Sequence, residues 1–210
     1  MIELQHDLTS MEYHAMDKDV WSFIWGNSTY SSRKFYALVF RNLQVPVTFV
    51  WLWKTKCTPR LKFFAWLLLV DRLNTRSMLR RRNFHLDSGY QCVMCSSNTE
   101  EDINHLFFNC AFACSCWRIL GMEWPNNSDI HDRLVQARAG SGQRFFMDMF
   151  IVAAWEIWNM RNSKIFDGGV VSHHLWIVKF KEQVALQLLR VREDDRTQIV
   201  QWLDTLNTPV

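Results

Sequence analysis

Glycine is scarce in this chain, seven among 210 residues, which leaves little from which to build a Gly-rich phosphate loop. No P-loop is present, and no Ser-His-Asp arrangement can be read as a nucleophile with its base. Long apolar runs are missing too. The longest, Phe63 to Val70, has basic flanks and falls far short of the ~20 residues that span a bilayer. The N-terminus, MIELQHDLTSMEYHAMDKDV, has no basic start followed by an apolar block, so no secretory signal is expected there. Internal repeats and low-complexity tracts are absent as well. The expectation is a soluble intracellular protein, nuclear or cytoplasmic, with no membrane partner.

A core is available. Hydrophobic residues make up 49% of the chain and aromatic residues 14%, with eleven Trp. Wholesale disorder is excluded by that composition, and most of the Trp rings are expected in the interior, with some left for an interface. The length suits one large domain, or one domain with a helical extension.

The net charge of +3 conceals a local excess. From Lys54 to Arg82 the chain carries nine basic residues (Lys54, Lys56, Arg60, Lys62, Arg72, Arg76, Arg80, Arg81 and Arg82) against one acid, Asp71, or +8. The remainder holds fifteen basic and twenty acidic residues, or −5. Such a concentration suggests contact with phosphates, the alternative being a solvated face. Phe63, Phe64 and Trp66 lie among these charges. They could stack on bases, but core packing is the better reading of all three.

The periodicity is mostly helical. Aromatic and β-branched residues on either side of Gly26-Asn27 read as a short hairpin. A helix capped by Ser31 or Ser32 follows, and Pro46 opens a second over Val47 to Lys54. Thr58-Pro59 starts a third, which runs to about Arg72 and is apolar nearly all round, as suits the centre of a domain. Thr75 is placed to cap a short basic helix through Arg82. Residues 83–104 read as loop and 105–120 as helical. Pro125 to Ser128 reads as a linker. Helices are expected over Ile130 to Ala139, Phe145 to about Asn162, and along Ile177, Phe180, Val184, Leu188 and Val191.

Five of the six cysteines fall within a 25-residue window. In an intracellular chain that clustering argues for a metal rather than disulfides. Cys92 and Cys95 form a C-x2-C pair, which puts both sulfurs on one side of a tight turn. His105 and Cys110 follow on a helical turn. Three thiolates and an imidazole make a closed tetrahedral shell, which points to structural zinc, since a catalytic zinc keeps an open position. At the fourth position Cys114 or Cys116 is the alternative to Cys110, and His85 is the alternative to His105. The acids Glu100, Glu101 and Asp102 between the ligand pairs are expected in solvent.

Several motifs in order resemble a known family. They are Cys57-Thr-Pro-Arg-Leu-Lys-Phe-Phe-Ala-Trp, Asp71-Arg-Leu-Asn-Thr-Arg, Leu79-Arg-Arg-Arg-Asn, Cys92-x2-Cys95, and His105-Leu-Phe-Phe-Asn-Cys110 followed by Trp117. Together they resemble the reverse transcriptase zinc-binding domain near the C-terminus of plant LINE-type (non-LTR) retrotransposon polyproteins. Trp155-Glu-Ile-Trp158-Asn-Met-Arg161-Asn162 is similar to the helical stretch that follows that domain. The resemblance implies Cys92, Cys95, His105 and Cys110 as zinc ligands and a role in handling RNA or DNA. It also implies that catalysis belongs to polymerase, endonuclease or ribonuclease H domains, none of which is evident here. Asp194-Asp195 lies in a charged stretch rather than the hydrophobic hairpin a polymerase pair would need. The expected organisation is a disordered N-terminus (1–18), the zinc-binding domain (19–120), a helical extension (129–192) and a tail (193–210). The fold expected is mainly α, with a small N-terminal hairpin and a zinc-stapled loop. The expected function is a non-catalytic zinc module assisting nucleic-acid binding. The alternative is a zinc-stabilised protein-interaction scaffold.

Overall fold

The computed structural model describes residues 22–26, 29–125 and 129–206. The stretch expected to be disordered (1–18), the linker residues 126–128, and parts of the expected hairpin lie outside them. The chain divides into two compact units, Met1–Gln44 and Val45–Val210.

In the first unit the hairpin does not form among the described residues. Gly26 adopts a left-handed φ of 81°, and its N–H returns to the Phe23 carbonyl at 2.7 Å. The backbone therefore bonds locally, three residues back, instead of across a strand pair. Phe23, Trp25 and Tyr30 cluster with ring centroids 5.0 to 6.0 Å apart. Helix α1 (Ser32–Val39) begins where the serines predict: the Ser31 hydroxyl accepts from Lys34 N–H at 3.3 Å. It buries none of its residues.

The second unit is helical. It comprises α2 (Val47–Lys54), α3 (Pro59–Leu69), α4 (Arg76–Arg81), a π-helical turn (His105–Asn109), α5 (Ala111–Ile119), α6 (Ile130–Ser141), α7 (Phe146–Phe166), α8 (His173–Leu188) and α9 (Glu193–Thr205). Helix α7 is the axis and packs against α2, α3, α5, α6 and α8. Its sequence, FMDMFIVAAWEIWNMRNSKIF, is apolar on nearly every side, and twelve of its 21 residues are buried. A helix of that composition is stable only when surrounded. Trp117 of α5 stacks on Phe150 of α7 with centroids 5.6 Å apart, and Phe64 of α3 meets Trp155 edge-on at 5.1 Å.

Helix α3 departs from its expected burial. Leu61, Phe64, Ala65, Leu68 and Leu69 are buried, but Phe63 is 58% and Trp66 36% exposed. The helix is thus one-sided, and two of the three rings expected in the core face out. Thr58 makes no side-chain cap; its N–H donates to Gln187 Oε1 at 3.1 Å instead. Past Leu69 the chain turns through Asp71 in the left-handed region (φ 50°), with Arg72 N–H closing on the Leu67 carbonyl at 2.8 Å. This is the six-to-one bond of a Schellman stop. Thr75 then caps α4, accepting from Met78 N–H at 3.2 Å.

The helices on either side of residues 120–129 share one core, with α7 packed on α3 and α5 and α8 packed on α7 and α5. The stretch expected as a tail is instead helix α9 over most of its length. Ile199 and Leu203 are buried, and Trp202 lies 5.6 Å from Phe145 and 6.2 Å from Phe180. Its charged opening, Glu193-Asp194-Asp195, occupies the first turn, where the helix dipole favours acids.

Candidate metal centre

A short strap of extended chain builds the first half of the centre. Gln91 and Glu100 form an antiparallel bridge, Cys92 N–H donates to the Thr99 carbonyl at 2.8 Å, and Glu101 N–H donates to the Tyr90 carbonyl at 2.9 Å. These bonds close the Cys92–Thr99 loop into a knuckle. Met94 N–H points back at Cys92 Sγ at 3.4 Å, the kind of donor that stabilises a thiolate.

The second half comes from a break in helical geometry. Asp102 Oδ1 accepts from His105 N–H at 2.7 Å and opens the π-helical turn. At its end Cys110 is extended (φ −65°, ψ 132°) and serves as the N-cap of α5. The wider turn separates His105 from Cys110 by five residues and still faces both inward. The Trp117 indole N–H donates to the Phe107 carbonyl and fixes this turn to α5.

Cys92, Cys95, His105 and Cys110 converge, with ligand atoms all within 4.8 Å of one another. Cys92 Sγ lies 3.9 Å from Cys110 Sγ, and Cys95 Sγ lies 3.3 Å from His105 Nε2. Bonds of about 2.3 Å to sulfur and about 2.0–2.1 Å to nitrogen give tetrahedral edges of roughly 3.6–3.8 Å. The cluster therefore has the size and donor set suited to zinc. Cys92, His105 and Cys110 are buried and Cys95 is half-buried.

The electrostatics favour a thiolate. The hydrogen bond from Cys92 pulls the Cys110 thiol down to about 5, and the N–H groups of Ala113 and Phe112 at the start of α5 assist. The same shared proton, together with burial, pushes the Cys92 thiol up. The remaining cysteines behave differently. Burial, with the nearby Asp148 carboxylate, pushes the Cys57 thiol up to about 12. Burial also raises Cys116. Cys114 donates to the Phe108 carbonyl at 3.1 Å. His85 is exposed beside Asp87 at 3.7 Å. None of these four joins the cluster, the one such group found among the described residues.

The nine basic residues scatter over two corners. Lys54, Lys56, Arg60 and Lys62 gather where α2 meets α3. Lys62 Nζ donates to the Trp53 carbonyl at 3.1 Å, and the Arg60 guanidinium lies 4.8 Å over the Trp155 ring. Arg72, Arg80, Arg81 and Arg82 gather where α3 meets α4. There Arg80 pairs with Glu100 and Arg81 with Asp71, both at 2.7 Å, and Arg82 donates to Asn74 Oδ1 at 2.9 Å. Arg76 departs from the group. It is buried, and its Nη1 donates to the carbonyls of Ser88 and Gly89 at 3.3 and 3.0 Å. Its guanidinium is spent on holding the strap and is not available to a phosphate.

Glu101, expected in solvent, is not there. It is fully buried and pairs with Arg161 of α7 at 2.6 Å. One signal was available: on the buried face of α7 Arg161 is the one cation, all the other buried residues there except Glu156 are apolar, and a buried cation needs an acid.

Residues 30–117 match the family model described as zinc-binding in reverse transcriptase. The matched stretch contains all four residues of the cluster and the whole 54–82 basic segment. Over that stretch the chain is similar to the zinc-binding portion of reverse transcriptases rather than to a catalytic domain. No curated protein and no solved structure matches the chain significantly. Among the described residues no helix is long and apolar enough to cross a membrane.

Proposed function

We propose that this protein is a non-catalytic zinc module derived from a retrotransposon reverse transcriptase, of the plant LINE type and its C-terminal region, and that it assists binding of RNA or DNA. The observation that carries the reading is the convergence of Cys92, Cys95, His105 and Cys110 at tetrahedral spacing inside the stretch that matches the zinc-binding family. These four are the ligands. Zinc, when bound, supplies a cross-link between the knuckle and the start of α5. With four protein donors the shell is filled, and no position is left for a reacting water.

Nucleic acid is held by the cations at the two corners: exposed Lys54, Lys56 and Arg60 with half-buried Lys62 at one, and exposed Arg72, Arg80, Arg81 and Arg82 at the other. Arg76 is left out because its side chain is buried. Helix α3, eleven residues or roughly 16 Å long, separates the corners by a distance several nucleotides can span.

The reading is tested by metal analysis of purified protein together with filter binding over a salt series. One zinc per chain and a log–log salt slope steeper than about −3 are expected. Zinc with a flat salt response would favour the scaffold reading instead. The apolar residues left in the open on α2, Val47, Val50 and Trp53, are the observation that keeps that second reading alive.

A further inference from the structure

The outer face of α3 is aromatic where a solvated helix would be polar. Phe63 and Trp66 stand three residues apart, point away from the core, and have ring centroids 5.7 Å apart. Trp53, at the end of α2, is 57% exposed, and its carbonyl is held by Lys62 Nζ. Each α3 ring has a cation at a neighbouring helical position, the Arg60 guanidinium itself lying over the Trp155 ring of α7. Arg60 precedes Phe63 by three residues and Lys62 precedes Trp66 by four, the two spacings that set side chains next to each other on a helix. No acid occurs anywhere from Val20 to Val70. The acids whose fields reach these cations, Asp148 and Glu156 of α7, lie on the inner side of the layer, where Glu156 is buried and Asp148 half-buried.

We propose that this face is a stacking platform for unpaired bases, with Phe63, Trp66 and Trp53 as ring surfaces and Arg60, Lys62 and Lys54 as phosphate contacts. The proposal rests on the reading of the protein as a nucleic-acid module and narrows it to single strands. Rings projecting from a helix meet base planes only where the bases are not already covered by a partner strand. Duplex DNA offers its phosphates to the cations but nothing to the rings. A protein partner would suit the rings, yet the core of a protein interface is depleted in charge, and here cations stand at helical neighbours of each α3 ring while the acids that reach them, Asp148 and Glu156, belong to α7. Alternating rings and cations are the arrangement by which single-strand binders hold a backbone and stack its bases without regard to sequence.

The test uses the full zinc-loaded chain with a fluorescein-labelled twelve-nucleotide mixed-sequence single strand and its duplex. The variants are Phe63→Ala, Trp66→Ala, Trp53→Ala and the charge pair Arg60→Gln/Lys62→Gln. All are exposed positions except Lys62, which is half-buried, and circular dichroism checks the fold of each. Each ring removal is expected to weaken single-strand binding at least about fivefold, leaving the salt slope and duplex binding unchanged. The charge pair is expected to reduce the single-strand salt slope by about 1.4. If the parent protein binds neither strand form, the nucleic-acid reading itself fails, and this proposal with it. If the parent binds but the ring variants bind alike, the reading stands and the platform is wrong. Equal losses on duplex and single strand would also overturn it. So would ring variants that keep their affinity but lose a self-association seen by analytical ultracentrifugation, since the face would then join copies of this chain.

Discussion

Arg161 on α7 reaches Glu101 in the strap with two hydrogen bonds to one oxygen, Nη2 at 2.6 Å and Nε at 3.1 Å. The same Oε1 accepts Arg76 N–H at 3.0 Å. Arg161 extends further, to the Asn74 carbonyl at 3.4 Å and Asn162 Oδ1 at 2.9 Å. One buried carboxylate thus ties together the strap of the metal centre, the start of α4 and the central helix.

Breaking this pair from one side is expected to be severe. Arg161→Met leaves the Glu101 charge buried without its partner, at a cost of about 3–5 kcal/mol. Replacing both, as Glu101→Leu with Arg161→Met, is expected to cost less than the two single changes together. Urea denaturation of the four proteins of the cycle measures this. A loss below about 1 kcal/mol for Arg161→Met would mean that the pair does not hold the strap.

Phe150 supplies a packing test at the centre of the fold. It is fully buried, stacked on Trp117 and met edge-on by Trp124, each at 5.6 Å. Phe150→Ala is expected to destabilise by about 3–5 kcal/mol, from lost transfer energy plus the cavity left behind. Phe166→Ala, at the exposed end of the same helix (75% exposed), is expected to change stability by less than about 0.5 kcal/mol. Thermal melts of the two separate a core α7 from a peripheral one.

What the sequence made legible follows from how local each signal is. Ser31 and Thr75 as caps, Pro46 and Pro59 as helix starts, and the long apolar α7 all depend on neighbours within a turn or two, and all are found. Ligand spacing is similarly local, and the four candidate residues do come together. Apart from the hairpin, where Gly26 bonds back to Phe23, most misreadings occur where the answer lies far along the chain. Glu101 looks solvated until Arg161, sixty residues on, is seen beside it. Arg76 looks like one cation among nine until the Ser88 and Gly89 carbonyls are seen around it. Phe63 and Trp66 look like core because α3 is apolar all round, and sequence alone does not say that one of its sides has no neighbour. Helix α9 hides behind its charged first turn, while Ile199, Trp202 and Leu203 supply the apolar face that docks it.

Asp148 gives a pH test. Burial raises its carboxyl above the ordinary carboxylate range, opposed by the Lys56 N–H that it accepts at 2.7 Å. A raised native value means that the folded protein binds the proton more tightly than the unfolded chain. Its contribution is therefore fully present below the unfolded value and is lost as pH rises through the folded one. Asp148→Asn keeps an acceptor for Lys56 and cannot ionise. Relative to the parent, this variant is expected to gain stability as pH climbs from the unfolded carboxylate value through the raised folded one, and the difference should level off above that. A difference in melting temperature that is flat with pH would show that Asp148 is not held in a desolvated site.

The identity of the fourth ligand can be settled by single substitutions read against metal content. Cys110→Ser, Cys92→Ser and His105→Ala each remove a member of the converged set. Each is expected to reduce bound zinc from one per chain to near zero after dialysis against a strong chelator. Cys114→Ser and Cys116→Ala are expected to retain one zinc, since neither joins the cluster and Cys116 is buried against the core. Because binding of structural zinc is worth roughly 10–16 kcal/mol in isolated fingers, its loss is expected to unfold the strap. Protease nicking between Cys92 and Asn104 should then appear, while α7, held by its own large apolar contact with α3, α5 and α8, stays protected. Retention of full zinc by Cys110→Ser together with its loss in Cys114→Ser would move the fourth ligand one turn into α5 and overturn the geometry assigned here.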